Sequence, residues 1–385
     1  MKKIISTFIA LVMFLFPSLN IPKADVDETA FKTNYTYVFV HGFSGWGDYN
    51  ALNKILPYWG VRNGDITKYL SARGFDCHAA SVSPTTSAWD RACELYAQLT
   101  GTVTDYGKVH SENCGHERFG KDYSKNRLIE KWSAEDKINL IGHSFGGATV
   151  RMLAELMANG SEDERKSGSD VSELFKGGKS DWIYSIITVA APHNGTSSYN
   201  IQEDLSNDPN ATTEEKMIAK VFLGISDLTS GSRKESDTAI YEMQIDNALA
   251  LNKKISTLKN IYYFSFSCDS TYIDENGVRQ VDETTLTSDM YVTVAKRICN
   301  YTGVTKGGYV IDEKWQANDG LVNTYSAMAP SDAPTVDFDK NNIVPGVWNI
   351  MPVQKGDHTT YQGEMKDYFN ARTFYVDFFS MINSL

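Results

Sequence analysis

The sequence has 385 residues, of which 42% are hydrophobic and 22% charged, with a net charge of -11. That length buries an ordinary globular core as one large domain or two. The acidity argues against nucleic acid and anionic membrane surfaces as partners.

Lys2 and Lys3 precede an uncharged apolar run, Ile4 to Phe16, which breaks at Pro17 and is followed by Ala24 and then Asp25-Val26-Asp27-Glu28. At about 13 residues the run is short for a bilayer span. It reads as an export signal occupying residues 1–24, cleaved after Ala24, with a retained anchor as the alternative. No other stretch is long and apolar enough to cross a membrane, so residues 25–385 are expected to be an exported chain with no stable membrane insertion. Five cysteines, none in a C-x-x-C pair, allow one or two disulfides in that compartment. Cys268–Cys299 is the first pair to test.

The β-branched and aromatic run Tyr35 to Val40 predicts a buried strand. It ends in His41-Gly42-Phe43, which looks like the oxyanion-hole loop of an α/β-hydrolase. Acyl transfer builds negative charge on a carbonyl oxygen, and two preorganised backbone N–H groups stabilise it. The Phe43 amide would be one donor and the Phe145 amide the other. A helix is expected over Asp65 to Leu70, a strand over Phe75 to Val82 and a helix over Trp89 to Leu99. Thr102 to Asn126 is polar, glycine-rich and too long for a simple connection, so it reads as an insertion. His110 and His116 within it suggest a metal holding a loop that has no core of its own. Zinc takes nitrogen and carboxylate oxygen in tetrahedral sets, and Cys114 is a further candidate ligand. Two surface histidines are the plain alternative.

The apolar run Ile138 to Ile141 feeds Gly142-His143-Ser144-Phe145-Gly146, a G-x-S-x-G match, and a helical pattern from Ala148 to Leu156 leaves it. Strand, sharp turn, helix, with serine at the tip, describes a nucleophile elbow. The alternative is a tight turn whose serine only caps the helix. Ser161 to Ser180 reads as a surface loop and Trp182 to Ala190 as a strand. Residues 197–236 carry no strand pattern and hold a short amphipathic piece, Lys216 to Leu223. They form either a small helical lid beside the site or an ordinary helical excursion. Asn260 to Ser267 is a late strand, and Met365 to Ile382 a final helix. The alternation of strands and helices predicts an α/β-hydrolase fold, with a mostly parallel central sheet and helices on both faces.

Chain order then selects partners for Ser144, because hydrolases of this fold run Ser…Asp…His. Of seven histidines, only His193 and His358 follow Ser144. No acid-bearing strand separates His193 from Ser144, which leaves His358 as base. Asp357 is too close in sequence to orient its own neighbour, so Asp319, in the loop after Ile311 to Trp315, is the acid.

Longer motifs carry a resemblance. Val38 to Gly47, Trp89-Asp90-Arg91-Ala92-Cys93-Glu94, the 105–120 segment, Ala190 to Thr196, Asn318 to Thr324 and Asp357-His358 are similar, in order, to those of the large secreted bacterial lipases of the Geobacillus and Staphylococcus type, which are zinc-containing α/β-hydrolases. The resemblance runs from about Tyr35 to the C-terminus. It implies Ser144, Asp319 and His358 as the triad, an ester or lipid substrate met at an oil–water interface, and secretion. It also implies a structural zinc on Asp65, His110, His116 and Asp237, which would pin the 102–126 insertion to the far end of the lid. Trp89, Arg91 and Tyr96 would surround the metal or simply pack their helix.

Two departures stand out. Thr360 occupies the place of the family's calcium-binding Glu, and Glu364-Met365-Lys366 covers the place of its Asp-Pro. Calcium is therefore doubtful, with Glu364 or Asp367 as the substitutes for a weaker site. The segment between Thr196 and Asp237 is shorter and more polar than the family's lid, which favours short to medium acyl chains. An amidase or thioesterase on the same triad is the alternative within this chemistry. A non-catalytic binding protein would be expected to lack the nucleophile or the base, and both are present.

Overall fold

The structure is a computed structural model that describes residues 31–62, 64–210, 212, 213, 216, 233–363, 365, 366 and 369–385. The expected export signal, most of the Lys216 to Leu223 piece, and Glu364 and Asp367 lie outside the described residues.

Seven strands form one sheet: β1 (Thr36–Val40), β2 (Cys77–Ala80), β3 (Ile138–His143), β4 (Ile183–Val189), β5 (Tyr262–Phe266), β6 (Thr335–Asp337) and β7 (Trp348–Ile350). Their spatial order is β6-β7-β5-β4-β3-β1-β2, and every neighbouring pair is parallel. Six helices matter to the site: α1 (Ile66–Ser71), α2 (Ala88–Thr100), α3 (Lys108–Cys114), α4 (Gly146–Asn159), α5 (Ser197–Asn207) and α6 (Ala371–Asn383).

The central strands are near-continuous apolar runs because helices cover both faces of the sheet. Alternation within β1 shows the division. Val38 and Val40 join the core beside α2 and α4, while Tyr37 and Phe39 join the opposite core beside α6. Successive side chains of a strand point to opposite faces. The ring of Tyr37 stacks on that of Phe379 with centroids 3.7 Å apart, which fixes α6 against the sheet.

Several elements differ from expectation. The final helix begins at Ala371, not Met365, because Asn370 accepts from the Arg372 and Thr373 amides and caps it there. Residues 161–180 hold two helical turns, Glu162–Lys166 and Glu173–Lys176. The first places three acids in its first turn and two bases in its last, complementing the helix dipole. The 102–126 insertion folds as a small antiparallel pair, Val103–Asp105 with Phe119–Asp122, enclosing α3. All five cysteines are free thiols. Cys268 packs into the core beside α6, whereas Cys299 Sγ accepts from Asn318 Nδ2 at 3.6 Å, so the expected Cys268–Cys299 bridge is not formed. Among the described residues no helix is long and apolar enough to cross a membrane.

A parallel sheet delivers its loops to one end, where ligands of such folds bind. Strands β1 and β3 are direct neighbours, with Val40 opposite Gly142. The loop carrying Phe43 and the turn carrying Ser144 therefore emerge side by side.

Candidate active site and metal centre

Ser144 sits at the tip of the β3–α4 turn in the left-handed region, at φ 53°. A non-glycine residue held there costs about 1–3 kcal/mol and persists only where its surroundings enforce it. Here the Ser144 amide donates to the Val189 carbonyl at 3.0 Å, and the flanking glycines admit close backbone approach. A Cβ on Gly142 would lie 2.5 Å from the Gly146 oxygen, and one on Gly146 only 2.3 Å from the Val40 oxygen. Both contacts are with backbone that cannot move aside. Gly146→Ala is expected to destabilise the fold by roughly 3 kcal/mol, the upper range for an overpacked site. Chemical denaturation measures this, and an unchanged midpoint would refute the packing argument.

Gly42 abuts Ser144, since a Cβ there would meet Ser144 Cβ at 2.7 Å. Among the described residues, the backbone amides of Phe43 and Phe145 have no acceptor. Two unpaired N–H groups flanking a strained serine are what a developing oxyanion needs. The Phe43 loop is tied down from behind. Buried Arg91 on α2 donates to the carbonyls of His41, Gly42 and Ser83 and to Thr149 Oγ1. The Ser44 amide donates to the Pro84 carbonyl at 2.8 Å. Arg91 thus braces the loop that carries Phe43, not the surroundings of a metal, and Tyr96 packs edge-on against Trp132.

His358 Nδ1 lies 2.9 Å from Asp319 Oδ2, and the His358 amide donates to the Asp319 carbonyl at 2.9 Å. Asp319 Oδ1 accepts from the Leu321 and Val322 amides at 3.0 and 2.7 Å. The carboxylate is therefore fixed with Oδ2 presented to the ring. Burial disfavours charge on His358, but Asp319 and then Asp357 outweigh it and raise its pKa above the ordinary value. Asp357 itself accepts from the Thr287 and Thr359 amides and the Thr359 hydroxyl, a turn-forming role. The His358 ring stands 4.9 Å from that of His143, the residue before Ser144. His193 is committed elsewhere, bonded to Thr188 at 3.0 Å within the core.

The two histidines of the insertion converge with Asp237. His110 Nε2 lies 3.3 Å from Asp237 Oδ1, and His116 Nε2 lies 3.4 Å from Asp237 Oδ2. The expected Asp65 is not with them. It caps α1, where it accepts from Thr67 Oγ1 and the Lys68 amide and pairs with Lys68 Nζ at 2.9 Å. Asp90 on α2 stands in its place, 3.0 Å from His110 Nε2 and 3.7 Å from His116 Nε2. Cys114 adds a thiol 3.8 Å from His110 Nδ1, so His110, Cys114, His116 and Asp237 also form a group able to hold a metal ion.

The chemistry of these donors fits a cation. His116 Nδ1 donates to the Glu117 carbonyl at 2.8 Å, which leaves Nε2 as the lone-pair nitrogen. That buried Nε2 has no hydrogen-bond partner. Arg233 Nη1 already lies between the Asp90 and Asp237 carboxylates, direct evidence that the pocket is built around positive charge. Trp89 stacks on the His110 ring at 5.0 Å, and Tyr106 meets His116 edge-on at 5.3 Å. Trp89 thus has its expected place, while Arg233 and Tyr106 carried no signal in the sequence. At the family's calcium position, Thr360 is a buried neutral residue whose hydroxyl faces the Cys268 thiol.

Residues 33–213 and 226–385 match the family described as "Lipase-like, C-terminal domain". Over 367 residues the chain is 32% identical to the lipase of Staphylococcus hyicus, which covers 86% of this chain and 54% of that protein. Lipase 2 of Staphylococcus aureus is 30% identical over 363 residues, covering 86% of this chain and 50% of that protein. The chain therefore spans about half the length of these curated relatives. Among solved structures, EstA from Clostridium botulinum superposes with a TM-score of 0.77 at 29% identity, covering 96% of this chain and 92% of that one.

Proposed function

The chain belongs to the lipase-like family that includes the staphylococcal lipases, and on that premise we propose that it hydrolyses carboxylic esters through an acyl-enzyme on Ser144. The observation that carries this reading is the oriented His358–Asp319 pair, 2.9 Å apart, close to a strained serine between two unpaired amides.

His358 Nε2 takes the proton of Ser144 Oγ as the oxygen attacks the ester carbonyl. The negative charge that appears on the carbonyl oxygen is met by the Phe43 and Phe145 amides. The tetrahedral adduct collapses, the C–O bond to the alcohol breaks, and His358 returns its proton to the departing alkoxide. Water then attacks the acyl carbon as His358 takes its proton, the bond from that carbon to Ser144 Oγ breaks, and His358 returns the proton to Oγ, which releases the acid. Asp319 holds the Nδ1–H tautomer and stabilises the imidazolium without taking the proton itself.

The substrate class proposed is a carboxylic ester or lipid, encountered at an oil–water interface, with short to medium acyl chains preferred. Support for the preference is the short, polar 197–236 segment, of which Ser197–Asn207 is helical. A smaller cover over the acyl groove buries less of a long chain, so each added methylene gains less than its full ~0.8 kcal/mol. Rates on p-nitrophenyl esters from butyrate to stearate decide it. A maximum at butyrate to octanoate is expected, and a maximum at palmitate or stearate, with a jump on emulsification, would sink the preference. Residues 25–385 are proposed as one exported hydrolase domain, with residues 1–24 as its leader.

Zinc is the proposed metal, held by Asp90, His110, His116 and Asp237. Four protein ligands close its shell, so it would supply a structural cross-link and no activated water. It would tie α2, the insertion around α3 and the segment at Asp237 together. Elemental analysis should find one zinc per chain. Chelation should lower the melting temperature by roughly 5 °C, given about 4 kcal/mol of linkage at a thousandfold excess over Kd and the unfolding entropy of a domain this long. His116→Ala should reproduce that loss, and protein purified without any zinc would refute the assignment.

A further inference from the structure

Three catalytic loops meet at one buried pair of side chains, Tyr58 and His143, neither of which the triad uses. The Gly42 amide, in the oxyanion loop, lies 3.0 Å from Tyr58 Oη. Tyr58 Oη lies 2.6 Å from His143 Nδ1. His143 Nε2 lies 2.9 Å from the backbone carbonyl of His358. Both residues are buried.

The direction of every proton in this chain follows from donor and acceptor chemistry. An amide can only donate, so Tyr58 Oη accepts from Gly42 and sends its own proton onward. A carbonyl can only accept, so His143 must carry its hydrogen on Nε2 and donate to His358. Its Nδ1 is then the lone pair that receives the tyrosine proton. Burial, with the nearby His358, lowers His143 to a pKa of about 3, so this tautomer holds at neutral pH.

The surroundings leave the pair no other arrangement. Trp46 and Trp59 pack edge-on against Tyr58 at 5.5 and 5.6 Å, and Trp59 packs edge-on against His143 at 5.9 Å. The Tyr58 amide donates to Asn53 Oδ1 at 3.0 Å. The Tyr58 carbonyl accepts from Gln362 Nε2, and the Gly60 amide donates to the Gln362 carbonyl at 2.7 Å. The Tyr58 segment is therefore fastened to the short helical turn, Thr360–Gly363, that follows the base.

We propose that Tyr58 and His143 are positioning residues: a one-directional hydrogen-bond relay from Gly42 to His358 sets the oxyanion loop and the base at fixed places relative to Ser144. His143 is covalently joined to the nucleophile and holds the base by its backbone, so it fixes the distance between the two reacting side chains. A misplacement of about 1 Å at such a centre can cost a hundredfold in rate. The inference rests on the proposed Ser144–His358 chemistry.

Tyr58→Phe, His143→Leu, His143→Gln and the double variant Tyr58→Phe/His143→Leu test it on the full chain, with p-nitrophenyl butyrate as substrate and an alkylphosphonate as active-site label. His143→Leu should lower kcat by about a hundredfold with KM within twofold. Tyr58→Phe, which removes one oxygen and keeps the ring, should lower kcat by about tenfold. His143→Gln, whose amide can donate to the His358 carbonyl and accept from Tyr58, should recover most of the loss. The double variant should be no slower than His143→Leu, because both changes cut one relay.

Additive effects, a Gln variant as slow as Leu, or unchanged kcat in a folded Tyr58→Phe would each overturn the relay. If His143→Leu does not melt cooperatively, Tyr58→Phe and His143→Gln decide alone on the same criteria. A wild-type chain that the phosphonate does not label at Ser144 refutes the triad reading instead. Labelled wild type with an undiminished Tyr58→Phe refutes only the relay.

Discussion

Replacing Ser144 with alanine is expected to lower kcat for ester hydrolysis by roughly a million-fold, the loss seen when the nucleophile of a serine triad is removed. Residual turnover should come only from the oxyanion amides and substrate binding. The fold should be intact, since the Ser144 amide bond to Val189 and the Gly142 and Gly146 contacts at the turn are all with backbone. Ser144→Gly gives an independent check on geometry. At φ 53° a glycine pays no left-handed penalty, so this variant should be equally inactive yet more stable than Ser144→Ala by about 1 kcal/mol. Activity retained in either variant would remove Ser144 from the mechanism.

Asp319→Asn should lower kcat by about 10⁴-fold, because the amide favours the wrong imidazole tautomer while keeping the shape of the site. The pH profile should move as well. His358 acts as a base only when neutral, so wild-type activity should rise with pH through a midpoint above the ordinary histidine value of 6.5. Burial pulls that midpoint down, and Asp319 is the first of the two carboxylates that raise it. Removing its charge should shift the residual activity toward lower pH. The same linkage acts on stability. A histidine whose folded pKa is raised stabilises the protein fully below its unfolded pKa, and that contribution is lost as pH rises through the folded value. The stability slope in this window should flatten in Asp319→Asn. A profile that coincides with wild type would mean that Asp319 does not face the base.

The elbow was legible because every constraint on it is local. Gly142, Ser144 and Gly146 are separated by single residues, and the strain at Ser144 needs small neighbours in those places. The pairing of Asp319 with His358 was legible because the hydrolase fold fixes the sequence in which its strand tips appear. The cluster able to hold a metal ion was only half legible. The resemblance points to His110, His116 and Asp237, which do converge, and to Asp65, whose carboxylate instead caps α1. Asp65 precedes the apolar residues of α1 and bonds the amide three residues on, a pattern that local sequence does report. Asp90 belongs to the Trp89 to Glu94 motif, and only the fold brings it to His110.

The amino-acid sequence by itself determined a parallel α/β framework, the strained serine turn, and the pairing of Asp319 with His358. Each of these rests on residues adjacent in the chain or on the fixed progression of strands. Only the tertiary structure decided that Asp90 joins the histidines, that Arg91 braces the loop carrying Phe43, that Cys268 and Cys299 stay apart, and that Tyr58 and His143 bind Gly42 to His358. The relay closes a contact across 215 residues between His143 and His358. Periodicity and motifs encode which face a residue presents. They do not encode which distant residue meets that face once the sheet is assembled.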